Sequence, residues 1–212
     1  MPNHKIKQAP PALLGKGLAY CYFHSYSTAA AAPALFIVRC VQCQKKALME
    51  IQETDDIDIL LTLHPHGWSS CCIYVRDFKY EIIISHVFSD PYFDFIRALS
   101  SIINNQDHTD LVWYGEPGGE KIEISRLKDK KDKVAITISS FQESFGEEVK
   151  EYKKAAVFQM QVRQLILISY YQLKKIFQLL KDSEYSKNRH QDFPFQEYLK
   201  FEKLAQEYLK IL

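Results

Sequence analysis

The stretch IDILLTLHPHGWSSCCIYV, residues 57–75, decides the fold. From Ile57 to Leu63, the apolar residues at odd positions alternate with Asp58, Leu60 and Thr62, which is the period-two pattern of a half-buried strand. The segment His64–Gly67 predicts a turn, and Trp68–Val75 predicts a second strand. Strands joined by so short a turn run antiparallel, so the fold is predicted to open with an antiparallel pair.

A third strand and a helix are predicted next. Tyr80–Phe88 is rich in Ile and predicts the strand. Asp90 can cap free backbone N–H groups and Pro91 suits the first helical position, so the helix is expected to start there. Its apolar face is predicted to consist of Phe93, Ile96, Leu99 and Ile103.

The second half repeats this order. Three strands are predicted, followed by an acidic run, a long helix and a closing helix. These segments are Leu111–Tyr114, Lys121–Leu127, Val134–Phe141, Glu143–Glu151, Tyr152–Leu180 and Phe195–Leu212. The predicted fold class is therefore α+β, an antiparallel sheet with helices packed on one face in the order βββα-βββαα.

The charges of the chain are unevenly placed. The 212 residues carry 27 basic and 26 acidic side chains, a formal net charge of +1. Residues 1–49 hold six basic residues and no Asp or Glu, whereas the remainder holds 21 basic against 26 acidic residues, a net charge of −5. Because acidic surfaces repel phosphate backbones, we expect no nucleic-acid binding by residues 49–212.

The shift in composition at Met49 predicts a basic, acid-free extension over residues 1–48 and a single α+β domain over residues 49–212. The uncharged run Gly17–Val38 is diluted by polar residues, so we expect no membrane span. Two interpretations of the extension stay open, a targeting peptide and a poorly ordered segment before a natural start at Met49. Nucleic-acid binding by the extension is a further hypothesis.

The cysteine count indicates a reducing compartment. Five cysteines are an odd number, and we expect reduced thiols in a cytoplasmic protein. The pair Cys40-Val-Gln-Cys43 lacks the second pair of a zinc site and the strand–helix context of a thioredoxin motif, so neither function is expected there.

The segment Trp113-Tyr-Gly-Glu-Pro-Gly118 predicts a strand that ends in a turn. It resembles an uncharacterised group of small bacterial proteins in which a strand ends in W-x-x-E-P-G. In that group a strand and helix precede the motif and an aromatic–Pro pair follows it. Ser85–Leu99 and Phe193-Pro194 occupy those places here, and the resemblance spans roughly residues 57–209. It implies a bacterial origin and a non-secreted domain, without an activity. Such acidic α+β proteins are similar in size and fold to immunity proteins of toxin systems.

Candidate catalytic groups lie around the first turn and the Pro-Gly-Gly turn. His64 and His66 could bind one metal ion if the chain is extended, with Asp90 or His86 as a third ligand. A solvent-facing turn is the alternative. Glu116 and Glu120 flank the second turn and could act as paired carboxylates, or could simply hold a hairpin.

Cys72 is the candidate nucleophile, with a histidine as its base. Alternation predicts that at most one of Cys71 and Cys72 is buried and places Cys72 in the core with Trp68 and Tyr74. No phosphate loop, nucleophile elbow or H-E-x-x-H motif is present, and no cofactor is predicted.

We therefore expect a non-enzymatic interaction protein, similar to immunity proteins, that binds a protein partner through an acidic or aromatic face. The alternative is a small metal-dependent or cysteine hydrolase that uses His64, His66 and Glu116. The aromatic residues of the long helix either contact a partner or are covered by the closing helix. The residues predicted to bind the partner are Trp68, Trp113, Glu116, Glu120, Tyr170 and Tyr171.

Overall fold

The computed structural model describes residues 49–51 by their backbone and residues 54–142 and 151–211 in full. All of them belong to one compact unit. The predictions for residues 1–48, including the Cys40–Cys43 pair, fall outside the described residues. The same holds for all but the last residue of the acidic run Glu143–Glu151.

The described strands form two sheets. One is three-stranded with the order β2-β3-β4, and the other is five-stranded with the order β1-β8-β7-β6-β5. Neighbouring strands pair antiparallel throughout, except that β1 runs parallel to β8. The strands are β1 (Met49–Ile51), β2 (Ile57–His64), β3 (Trp68–Val75), β4 (Phe78–Ser85), β5 (His108–Tyr114), β6 (Gly119–Arg126), β7 (Lys133–Phe141) and β8 (Lys153–Gln161).

Helices cover one face of these strands, which confirms the predicted α+β class. The inward residues of β2 and β4 join those of α1, α2 and α4 in one hydrophobic core. The helices are α1 (Pro91–Ile103), α2 (Val162–Leu179), α3 (Ser183–Ser186) and α4 (Phe195–Leu209), with a 3-10 turn at His190–Asp192. Across the described ranges, none of the helices has both the length and the apolar character needed to cross a bilayer.

β2 and β3 pair antiparallel, as the sequence predicts. Their register corrects the prediction of which cysteine faces the core. Leu61 lies opposite Cys71, so Cys71 faces the core and Cys72 faces outward. The prediction that at most one of them is buried is wrong, since Cys71 is 1% and Cys72 is 8% exposed. Cys72 is buried by its neighbours on the outer face instead of by the core.

The start of α1 follows the prediction, but its buried face is shifted. Asp90 accepts a hydrogen bond from the backbone N–H of Phe93 at 3.0 Å, and Pro91 is the first helical residue. The buried face repeats from Tyr92 at intervals of three and four residues, so Phe93 lies at its margin and is 39% exposed. Including Phe93 in the buried face was wrong.

The element order differs from the prediction at Lys153–Gln161, which was assigned to the long helix. This segment is β8, and the helix begins only at Val162. Ala156, Phe158 and Met160 alternate toward the core, and β8 fills the position between β7 and β1. Pairing on both sides therefore outweighs the helix propensity of its Ala, Met and Gln residues.

Candidate protein-binding surface

On the outer face of the three-stranded sheet, the middle of β3 carries two small residues, Ser70 and Cys72, each 8% exposed. Leu60 on β2 lies opposite Cys72, and Ile83 on β4 lies opposite Ser70. These two side chains are 39% and 46% exposed, while the residues across from them, Glu81 beside Cys72 and Thr62 beside Ser70, are polar. We call this part of the sheet face the β3 groove.

Aromatic side chains mark both ends of the β3 groove. Tyr74 lies at one end and is 37% exposed, and the half-buried Trp68 lies at the other. Beyond Trp68, the loop after β4 exposes Val87 and Phe88, and the Phe88 ring contacts Tyr114 with centroids 5.7 Å apart. The apolar surface therefore extends from the groove toward β5.

Carboxylates flank the β3 groove. Asp58 lies opposite Tyr74, and Glu116 accepts a hydrogen bond at 2.9 Å from Ser85, which lies opposite Trp68. Neither carboxylate is in an ion pair with another residue of the described part. A third acidic residue, Glu81, is paired with Lys79 at 3.1 Å. Lys79 lies opposite Tyr74 and Asp58 acts on the charge of Lys175, so charges of both signs occur at the Tyr74 end, whereas the carboxylate of Glu116 lies near the Trp68 end.

The outer edge of β2 is closed by side chains from α2 and from the segment that follows it. The ammonium group of Lys175 donates to the carbonyl of Leu61 at 2.7 Å. The side-chain oxygen of Gln172 accepts a hydrogen bond from the backbone N–H of Leu61 at 3.3 Å. Tyr185 and Arg189 both donate to the carbonyl of Leu63. Since these groups would otherwise pair with an added strand, this edge is protected against strand addition.

The histidines that were proposed as metal ligands do not belong to a group of three metal-binding side chains in the described part of the chain. His64 is exposed and its Nε2 lies 3.0 Å from Ser70 on the outer face, whereas His86 Nε2 lies 2.8 Å from Ser69 on the inner face. His66 takes a left-handed conformation with φ of 64°, so the extended geometry assumed for the pair is absent. Within the described residues, no three His, Cys, Asp or Glu side chains are grouped to hold a metal ion.

Glu116 and Glu120 take different partners on β4. Glu116 is exposed and binds Ser85, while Glu120 accepts a hydrogen bond from the hydroxyl of Tyr80 at 3.1 Å. Burial, reinforced by the charge of Glu120, raises the pKa of Tyr80. Each carboxylate is therefore engaged with a different residue of β4.

Three of the aromatic residues predicted to contact a partner lie in different environments. Trp113 is 2% exposed and donates its indole N–H to the carbonyl of Pro91 at 3.2 Å. Tyr170 is fully buried and accepts a hydrogen bond from Gln206 of α4 at 3.1 Å. Tyr171, by contrast, is 49% exposed. The closing helix therefore covers Tyr170, and of these three only Tyr171 presents its ring to solvent.

The two cysteines are poor nucleophiles in this setting. Burial raises the pKa of Cys71, and burial together with the charge of Glu81 raises the pKa of Cys72. Because the thiolate is the reactive form, both effects oppose nucleophilic catalysis. Asp90, which was considered as a metal ligand, is engaged as the cap of α1.

Sequence reasoning missed a polar cluster in the core. The hydroxyl oxygen of Ser69 lies 2.8 Å from His86 Nε2 and 3.1 Å from the hydroxyl of Tyr92. A serine beside a histidine has the atoms of a nucleophile and its base, but Ser69 is completely buried and bound on both sides. The cluster therefore connects β3, the loop after β4 and α1. Its members are too far apart in sequence to form a recognisable motif.

Two surface cavities lie away from the β3 groove. One of about 430 Å³ is lined by residues that include Arg76, Lys133 and Asp55, and one of about 270 Å³ lies between α1 and α4 beside Phe93. Neither includes a residue that was proposed for catalysis. Comparison with family models, curated proteins and solved structures found no match to this chain.

Proposed function

We propose that this chain is a non-enzymatic interaction protein that binds a protein partner through the outer face of β2, β3 and β4. One observation carries the proposal: large apolar side chains stand exposed on the sheet face that the described helices leave open. Leu60, Tyr74 and Ile83 do so along the β3 groove, and Val87 and Phe88 continue the surface. Exposed apolar surface rimmed by polar groups is typical of interaction sites.

The charge of this surface indicates the kind of partner. Residues 50–212 have a net charge of −5, and Asp58 and Glu116 flank the groove without ion-pair partners in the described part. A complementary surface would be apolar where it meets Leu60 and Ile83 and would carry a basic group near Glu116. An immunity-type protein that binds a toxin, in a bacterial cytoplasm, is the specific form that the sequence resemblance suggests.

Affinity capture with surface variants tests the proposal. We expect the unaltered chain to recover a protein partner from its native cells at near-physiological salt. Ile83→Asp or Leu60→Asp should abolish recovery, because a buried unpaired carboxylate would oppose the apolar contact.

The matched control is Leu199→Asp, which changes a residue of α4 that is 40% exposed. It should leave recovery intact. Circular dichroism should show the same fold and thermal midpoint for all three variants. If no protein is recovered by the unaltered chain, or if Ile83→Asp and Leu199→Asp recover equal amounts, the proposal fails.

A hydrolase that uses His64, His66 and Glu116 is the competing hypothesis. His64 and Ser85, the partner of Glu116, are separated by β3, so they lie about two strand spacings or ~10 Å apart. His64 and Glu116 are each bound to a serine, and the described residues contain no group of three His, Cys, Asp or Glu side chains that could hold a metal ion. The geometry therefore favours binding over hydrolysis at this surface.

A further inference from the structure

The two edges of the three-stranded sheet differ in the described part of the chain. At the β2 edge, the backbone groups of Leu61 and Leu63 bind side chains of α2 and of the segment that follows it. The odd-numbered residues of β2 therefore direct their backbone groups away from the sheet. Its even-numbered residues bond to β3, because successive residues of a strand point to opposite sides.

The same alternation identifies the backbone groups at the β4 edge. The even-numbered residues of β3 bond to β2, so its odd-numbered residues bond to β4. The register pairs these with even-numbered residues of β4, as in Ile73 with Tyr80. The backbone N–H and C=O groups of Lys79, Glu81 and Ile83 consequently point away from β3.

The β4 edge is open over its first half. Among the described residues, none forms a hydrogen bond to the outward backbone groups of Lys79 or Glu81. The turn between β5 and β6 covers the second half, since a Cβ on Gly115 would lie 3.4 Å from the carbonyl oxygen of Ile83. Unpaired backbone groups on an edge strand are a template for the addition of another strand.

The side chains of the open edge carry opposite charges. Lys79 and Glu81 lie 3.1 Å apart and are 49% and 46% exposed. If two β4 strands pair antiparallel around Tyr80, Lys79 of each copy lies opposite Glu81 of the other. Two-fold symmetry makes this contact twice, and the four charges then alternate in sign.

The neighbouring registers are unfavourable. A pair centred on Lys79 or on Glu81 would place like charges directly opposite each other. A pair centred on Ile82 would need the edge at Ile83, which the turn between β5 and β6 covers. The charges and the length of the open edge therefore both fit a second copy of this chain in the register centred on Tyr80.

We propose that this chain forms a two-fold symmetric dimer in which the β4 strands of two copies pair antiparallel around Tyr80. On the inner face, the half-buried Phe78 would lie opposite Ile82 of the other copy. The dimer uses the edge of the sheet and leaves Leu60 on the outer face open, so it does not depend on the proposed function. Because so short a pairing buries little surface, we expect a dissociation constant in the micromolar range.

Charge reversal in the purified full-length chain tests this register. Sedimentation equilibrium at increasing concentration gives the dissociation constant of the dimer. Lys79→Glu alone and Glu81→Lys alone should each weaken the dimer by at least about tenfold, because each creates two contacts between like charges. An equimolar mixture of these two variants should dimerise as the unaltered chain does, because the acidic edge of one pairs with the basic edge of the other.

The matched control is Lys203→Glu, which reverses an exposed charge on α4. It should leave the dissociation constant unchanged. Amide hydrogen exchange then locates the contact. The backbone N–H groups of Lys79 and Glu81 should exchange more slowly as the concentration of the unaltered chain rises, because they donate to the other copy. In Lys79→Glu alone they should not.

Several results would overturn the inference. These are a monomer at every concentration, a mixture of the two variants that stays monomeric, or a dimer in which the N–H groups of Lys79 and Glu81 gain no protection. Protection that appears only after addition of a captured partner would also overturn it, since the edge would then belong to that partner. Affinity capture with Ile83→Asp tests the proposed function separately, so failure of one is distinguishable from failure of the other.

Discussion

Gly118 illustrates how a single position determines the turn between β5 and β6. It has a positive φ of 85°, and a Cβ there would collide with the backbone carbonyl of Phe141. Any other L-residue would have to strain the backbone and displace β7. The glycine in the segment Trp113–Gly118 therefore has a steric reason that is independent of any ligand.

Gly118→Ala is expected to destabilise the domain by roughly 2 to 4 kcal/mol, from the left-handed conformation and the steric clash together. The control is Gly115→Ala, whose added Cβ would meet the carbonyl oxygens of Ile83 at 3.4 Å and Gly118 at 3.8 Å, without a close clash. Urea unfolding measures both free energies. Equal losses in the two variants would contradict the steric explanation.

His86 should give the domain a specific dependence on pH. Burial lowers the pKa of His86 from its ordinary 6.5, while the charges of Asp192 and Asp90 act in the opposite direction. The native state thus binds this proton more weakly than the unfolded chain does. The stability that His86 contributes is complete above about pH 6.5 and decreases as the pH falls toward its lower native pKa.

His86→Gln keeps a hydrogen-bonding group near Ser69 but removes the titration. We expect the free energy of unfolding to fall less between pH 7.5 and pH 5.5 in this variant than in the unaltered chain. Urea unfolding at both pH values measures the difference. His108→Gln, which changes a histidine on the exposed start of β5, should behave like the unaltered chain; if His86→Gln does so too, the burial argument is wrong.

Lys175 shows how one element protects another. Its ammonium group lies between the carbonyl of Leu61 and the side chain of Gln172, both at 2.7 Å, and burial lowers the pKa of Lys175. α2 therefore supplies a donor to an acceptor on the edge of β2. Removing the donor would leave that carbonyl without a partner and the edge open.

Lys175→Met is expected to cost about 1 to 3 kcal/mol in the free energy of unfolding and to increase aggregation on heating. Lys203→Met on the exposed side of α4 is the control and should change neither. Urea unfolding and light scattering provide the two measurements. An unchanged aggregation temperature in Lys175→Met would contradict the protective role assigned to this contact.

β2 and β4 could be predicted because their alternation matches their burial, while β8 could not. Its inward residues include Ala156 and Met160, which suit a helix equally well, and only pairing with β7 and β1 makes the segment a strand. The β3 groove had a signal that we did not use. Leu60 and Ile83 are apolar residues at positions where strict alternation predicts polar ones.

At the scale of the whole molecule, the sequence predicted the acidic charge and the one-sided helix layer. It did not predict that the strands divide into two sheets, because that depends on how β4 and β5 approach each other. It also did not bring the candidate catalytic residues together. Alternation along β3 sends Ser70 and Ser69, the partners of His64 and His86, to opposite faces of the sheet.

Site-specific photo-crosslinking in native cells tests the central claim most directly. A benzophenone side chain would replace Ile83 in the β3 groove or, as the control, Leu199 on α4; both positions are surface-exposed. Crosslinked products would be identified by mass spectrometry. We predict that position 83 yields a discrete adduct with another protein and that position 199 does not. An adduct only from position 199, or equal yields of the same adduct from both positions, would contradict the claim that this face binds the partner.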